Sequence, residues 1–165
     1  MARRAKRNYV NNPDLLAALI EYKKQVRDAE DQGDEPPKVP DYIGECIYQI
    51  SNRLATKPNF SGYTYKDDMI MDGIENCLLY INNFDPNKSS NPFAYFTQII
   101  WYAFLRRIAK EKKQMYIRFK SSHNMVAQGA TYESNEVQLH LNTNADYINS
   151  FIEDFEEKLN KNKDK

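Results

Sequence analysis

Residues 93–113, FAYFTQIIWYAFLRRIAKEKK, constrain the chain more than any other stretch, because a helix with this many rings has more apolar surface than one face can bury. Phe93, Tyr95, Phe96, Trp101, Tyr102 and Phe104, with Tyr116 just past the end, stand against a dense run of bases. Asn91-Pro92 opens the helix, since Asn caps and Pro suits the first helical position, where no amide donor is needed. Helical spacing puts Phe93, Phe96, Thr97, Ile100, Phe104 and Ile108 along one broad face, expected to be core. A second stripe, Tyr95, Ile99, Tyr102, Arg106 and Lys110, with Ala103 and Arg107 beside it, follows the same spacing on another side. Rings interleaved with bases suit a strand of nucleic acid, in which bases stack on rings while cations hold phosphates. The other reading is that the rings complete the core of a small helical domain and the bases are a solvated end. The helix alone leaves both open.

Net charge is zero, with 23 basic against 23 acidic residues, which argues against a generic polyanion binder. The charges are segregated, however. Seven bases between Arg106 and Lys120 (Arg106, Arg107, Lys110, Lys112, Lys113, Arg118, Lys120) accompany Glu111 alone, and residues 1–7 add four more. Residues 28–35 and 153–157 are acidic. Such a pattern presents a local basic patch on a neutral protein.

Periodicity predicts an all-α chain. Asn12-Pro13-Asp14 starts a first helix, with Leu15, Leu16, Leu19, Ile20 and Val26 at helical spacing, that ends in the charged run at 28–35. Pro36-Pro37-Lys38-Val39-Pro40 is a stiff connector, because each Pro fixes its own φ and restricts its predecessor. Ile43, Ile47, Ile50 and Leu54 mark a second helix, and residues 57–65 read as a loop from their Pro, Asn, Ser and Gly content. A third helix over 66–84 aligns Ile70, Ile74, Cys77, Leu78, Ile81 and Phe84 before Asp85-Pro86 stops it. Beyond the aromatic helix, residues 121–136 are polar without a period, and Val137, Leu139 and Leu141 alternate too briefly to establish a strand. An amphipathic segment at 146–159 then presents Ile148, Phe151, Ile152, Phe155 and Leu159 as a ridge on an acidic helix. Its place after a long polar stretch favours a ridge that stays apart and enters another protein's groove.

These elements divide the chain into a basic arm, flexible helix and connector (1–40), a compact domain (41–120) with its core over 40–119, a polar linker (121–145) and a tail (146–165). Cys46 and Cys77 sit in apolar helical patterns and are expected to be free buried thiols. His123 and His140 are isolated, so no metal site is expected, and no cofactor. No apolar run approaches the roughly 20 residues of a membrane span, so an intracellular, soluble chain is expected.

Asp68, Asp72 and Glu75, at i, i+4 and i+7, share one helix face. Paired carboxylates can serve acid–base chemistry or hold a divalent ion, but no second cluster, His or phosphate loop completes such a site. No catalytic residue is expected. An acidic face favoured by the helix macrodipole, open to a basic docking partner, is the reading taken.

The run from Asp68 through Asp72-Gly73 to Phe84-Asp85-Pro86, a short turn, then Phe93-Ala-Tyr-Phe96 and Ile100-Trp101-Tyr102, resembles region 2 of bacterial sigma factors, whose pattern is an acidic D-L-I-Q-E-G helix ending F-D-P, then F-x-x-Y and an aromatic, basic helix. The likeness covers residues 41–118. No helix-turn-helix pattern follows Lys120, so the family's fourth region has no counterpart. A minimal sigma with a hydrophobic, acidic tail is similar to the late-transcription subgroup of T-even-type bacteriophages.

The resemblance implies a non-enzymatic promoter-specificity subunit acting in the cytoplasm of an infected bacterial host. Its implied partners are core RNA polymerase, through the clamp helices of the largest subunit, A·T-rich late-promoter DNA, the phage sliding clamp and a phage co-activator. Asp68, Met71, Asp72, Glu75 and Leu78 would meet polymerase, although Met71 stands where the family usually has Gln and Ile74 where it often has Asn. Tyr95, Phe96, Ile99, Trp101, Tyr102, Ala103, Arg106, Arg107, Lys110 and Lys113 would meet DNA. Ile99 and Ile100 replace the adjacent aromatics with which family members open the minus-ten element, so that either the function shifts along the helix to Trp101 and Tyr102 or Tyr95, Phe96 and Tyr102 supply it. Phe151, Ile152, Phe155 and Leu159 would bind the sliding clamp. Two rival classes remain beside this one: a general single-stranded nucleic-acid binder, and a polymerase adaptor whose aromatic helix is all core.

Overall fold

The computed structural model describes residues 9–127 and 145–163. Among these, five α-helices and one 3₁₀ turn account for the regular structure and no strand occurs: α1 (Asn12–Gln32), α2 (Asp41–Ala55), α3 (Lys66–Leu79), the 3₁₀ turn Ile81–Asn83, α4 (Pro92–Ala127) and α5 (Ala145–Lys163). The chain is all-α, as its periodicity predicts. Val137, Leu139, Leu141 and most of the expected 121–145 linker lie outside the described residues. Two compact units divide the chain, residues 1–108 and 109–165, and α4 contributes to each.

In the first unit, the expectation that the core begins at residue 40 is corrected. Leu15, Leu19, Tyr22 and Val26 recur along one stripe of α1 and are buried in the same cluster as Ile43, Ile47, Ile50 and Leu54 of α2. Tyr22 belongs to the buried stripe, whereas Ile20, expected there, is exposed. α1 is therefore an integral wall of the domain, not an appendage. It stops at Gly33, whose left-handed backbone (φ 73°) lets its own amide reach Glu30 O at 3.2 Å and that of Asp34 reach Ala29 O at 2.9 Å. A residue with Cβ would be strained there.

α3 ends five residues before the expected Phe84, because the chain tightens at Tyr80 into the 3₁₀ turn. Ile81 and Phe84 are nevertheless buried. The Lys23 ammonium donates to the carbonyls of Asn82 (3.0 Å) and Phe84, satisfying acceptors that a helix end leaves unpaired. Leu78, placed on the buried face by periodicity, is exposed, and Met69 is buried instead.

The start of α4 is capped from two places. Asn91 Oδ1 accepts from Ala94 N–H at 3.0 Å, and Asn12 Oδ1, at the start of α1, accepts from Phe93 N–H at 3.0 Å. Phe96, Ile100 and Phe104 are fully buried, and the loop residue Phe60 packs edge-on against Trp101 (4.8 Å) and Phe104 (5.1 Å). Cys46 and Cys77 are free and buried.

In the second unit, α4 continues past Lys113 to Ala127, which corrects the expectation that a polar linker begins at residue 121. No Gly or Pro interrupts residues 114–127, so propensity allows the helix to propagate. α5 packs against this part of α4. Ile148 and Ile152 are buried, Phe155 stacks on Tyr116 at 4.6 Å, and Phe151 meets Phe119 edge-on at 5.5 Å. The expectation of a ridge standing apart is corrected: rings at 116 and 119 give α5 an apolar partner within its own chain.

Candidate functional site

The two faces singled out by sequence meet along the seam between α3 and α4. Gly73 makes this seam close. A Cβ built there would lie 3.0 Å from Ile100 Cγ2, 3.1 Å from Ser51 Oγ and 3.2 Å from Phe104 Cε1, so α2, α3 and α4 converge on a position that only glycine fits without displacement. The Cys77 thiol, one turn further on, points at Phe96 O (3.8 Å), and burial pushes its pKa up to about 12. The thiol is thus inert packing, as is Cys46, whose pKa is also raised by burial.

On this frame the expected DNA-binding residues separate. Phe96 and Ala103 are buried; Phe96 lies on the face that spacing predicts to be core, and the expectation that either residue meets DNA is corrected. Trp101 is half-buried against Phe60. Tyr95 is also half-buried: its ring packs on Phe84 (5.2 Å) and Phe96 (5.4 Å), its hydroxyl donates to Tyr80 O (2.7 Å), and desolvation raises its pKa. These contacts make Tyr95 part of the packing around the 3₁₀ turn, and Ile99 is half-buried beside it on the stripe.

What the stripe presents to solvent is Tyr102, 52% exposed, and Arg106. The Arg106 guanidinium donates to Asn76 Oδ1 at 2.7 Å, which anchors it at the edge of α3. Lys110 and Lys113 are exposed on the part of α4 that belongs to the second unit.

Arg107 is committed differently. Its Nε and Nη2 each lie 2.6 Å from a carboxylate oxygen of Asp72, a bidentate pair with both side chains mostly covered. The resemblance assigns Arg107 to DNA and Asp72 to polymerase. The structure joins them to each other, so neither is presented outward as expected, and the pair stitches α3 to α4.

The outer face of α3 is mixed acidic and apolar. Asp68 and Glu75 are exposed, and Met71 (64% exposed) between them and Leu78 (40%) beyond Glu75 complete one stripe at i, i+3, i+7 and i+10. Leu79, 71% exposed, and Tyr80 extend the apolar surface toward the 3₁₀ turn. Sequence reasoning missed these two because an apolar residue at a helix end reads as core. A helix face of this composition suits a partner surface that is apolar with basic edges.

In the second unit the tail residues are partly spent. Ile152 is buried and Phe151 and Phe155 half-buried on α4, while Leu159 is exposed. Glu156 Oε1 accepts from Tyr116 OH (2.8 Å) and from Lys120 Nζ (2.7 Å). Those hydrogen bonds hold the Glu156 carboxyl below its ordinary pKa and raise that of Lys120.

Among the described residues no group of three or more His, Cys, Asp or Glu could hold a metal, and no helix is long and apolar enough to cross a membrane. Compared with protein-family models and with curated proteins, the chain matches none.

Proposed function

We propose that this chain is a sigma factor: a non-enzymatic subunit that directs host core RNA polymerase to A·T-rich late promoters in the cytoplasm of an infected bacterium. The observation that carries the reading is the adjacency of two unlike faces on one seam. An acidic and apolar stripe (Asp68, Met71, Glu75, Leu78) lies on α3, an exposed ring and cation (Tyr102, Arg106) lie on α4, and Asn76–Arg106 and Asp72–Arg107 tie the two helices together. The order and spacing of these residues are those that resemble sigma region 2.

In this reading α3 docks on the clamp helices of the largest polymerase subunit and α4 turns toward the minus-ten element. Tyr102 supplies a stacking surface for a base that leaves the duplex, offsetting part of an opening cost of a few kcal/mol, and Arg106 holds the adjacent phosphate. Tyr95 supports the 3₁₀ turn, and Asp72 and Arg107 fix the angle between the two faces. Contact of Phe151, Ile152, Phe155 and Leu159 with a sliding clamp, and any co-activator acting there, requires α5 to leave α4.

The test is run-off transcription by purified core polymerase on supercoiled A·T-rich templates, with and without the protein. Start sites that depend on the protein are expected. Tyr102→Ala and Arg106→Ala should remove them while polymerase binding persists, and Asp68→Lys with Glu75→Lys should remove polymerase binding. Unchanged transcription with retained polymerase binding would favour the adaptor. Loss of both, with tight salt-sensitive binding of oligonucleotides by the chain alone, would favour the single-strand binder.

A further inference from the structure

The second unit carries a surface of which the promoter resemblance uses only Lys113. Along the distal half of α4, bases and rings alternate: Lys112, Lys113, Tyr116, Arg118, Phe119 and Lys120. α5 covers its centre in a particular way. The Phe155 ring lies nearly parallel on Tyr116, 18° from coplanar at 4.6 Å. The next residue, Glu156, places one carboxylate oxygen between Lys120 Nζ (2.7 Å) and Tyr116 OH (2.8 Å). A flat ring stacked on a tyrosine, followed by an anionic oxygen on an ammonium, reproduces the two contacts by which a nucleotide is held: its base on an aromatic face and its phosphate on a cation.

The grip of α5 is slight. Among the described residues of this unit only Ile148 and Ile152 are buried hydrophobics. Phe151 and Phe155 are only partly buried, and the Lys120 and Glu156 side chains keep 40% and 41% of their exposure, so the ion pair is screened by solvent. Lys112 and Lys113, one turn before Tyr116 on the same face, are exposed. An acidic helix held this lightly on a basic one is exchangeable for another polyanion that can stack.

We infer that the α4 face at Tyr116, Phe119 and Lys120 is a single-stranded nucleic-acid site, and that α5 occupies it as an internal mimic of the strand through Phe155 and Glu156. The inference goes beyond the promoter reading and does not depend on it. Binding by the intact chain is therefore self-competed, and anything that draws α5 away uncovers the site.

The experiment measures binding of a fluorescein-labelled oligothymidylate to the full chain by fluorescence anisotropy at low salt. The double variant Phe155→Ala/Glu156→Gln should bind about tenfold more tightly than the unaltered chain, with a steeper dependence on salt. Adding Tyr116→Ala and Lys120→Gln should abolish the gain. Unchanged or weaker binding by the double variant overturns the inference, as does a gain that survives replacement of Tyr116 and Lys120. Emission from Trp101, packed on Phe60 in the first unit, checks that the remaining fold is intact. Failure of the transcription assay would leave this result standing, and the converse also holds.

Discussion

At the scale of single residues, the seam between α3 and α4 rests on what Gly73 lacks. Alanine has an intrinsic advantage over glycine of about 1 kcal/mol in a helix interior. Here the added methyl meets Ile100, Phe104 and Ser51 at 3.0–3.2 Å, and all three are fully buried with no open side to move into. Overpacking of this kind costs about 1–3 kcal/mol, so the steric term wins. Gly73→Ala is expected to lower stability by up to about 2 kcal/mol, the overpacking cost less the helical advantage of alanine, in urea denaturation. Ser51→Ala tests the same spot from the other side. Its hydroxyl is buried without a hydrogen-bond partner among the described residues, so its removal relieves a desolvated polar group. That variant should be neutral or slightly stabilising, and in combination it should recover part of the Gly73→Ala loss. A stabilised Gly73→Ala chain would mean that α3 and α4 are not packed this closely.

At the scale of elements, the start of α4 depends on two asparagines, Asn91 and Asn12, far apart in sequence. Asn91 is the local cap, whereas Asn12 reaches Phe93 N–H from the first turn of α1 and also donates to Ser90 O at 3.4 Å. Cap removal costs about 1 kcal/mol, so Asn12→Ala should lose as much stability as Asn91→Ala although no helix of its own is uncapped. Equal midpoint shifts in denaturant would confirm the bridge; a silent Asn12→Ala would refute it. The local cap is legible in Asn91-Pro92, and the remote one is not, because only the fold brings Asn12 there. The same division runs through the rest. Helix class and most core positions follow from spacing, since i, i+3 and i+4 repeats report which side is buried. Spacing does not say how much of an apolar stripe is covered: it sets Phe96 in the core, where it lies, but puts Ala103 beside the outward stripe, and Leu79 and Tyr80 went unnoticed. Nor can it pair charges across helices, and so Asp72 and Arg107, read as belonging to two sites, satisfy each other.

At the scale of the whole chain, zero net charge conceals an arrangement in which acidic α5 lies on the basic distal half of α4 within the second unit. The core cluster of the first unit draws on residues 10–108 alone, with nothing from α5. Ending the chain after Asn144 should accordingly leave the first unit's thermal transition in place. On the proposed function, protein-dependent start sites should also persist, because the α3 stripe, Tyr102 and Arg106 all lie in that unit. Two changes are expected together: stimulation by a sliding clamp disappears with Phe151, Ile152, Phe155 and Leu159, and oligothymidylate binding rises as Tyr116 and Lys120 are uncovered. The pairing of the two outcomes is informative. A mimic that is also a tether gives both, since one ridge cannot lie on α4 and in a partner's groove at once, and each state then opposes the other by its own binding free energy. Lost stimulation with unchanged oligonucleotide binding would leave the tether and remove the mimic. The reverse would leave the mimic and remove the tether. Undiminished stimulation by the clamp would place its docking site outside the tail altogether.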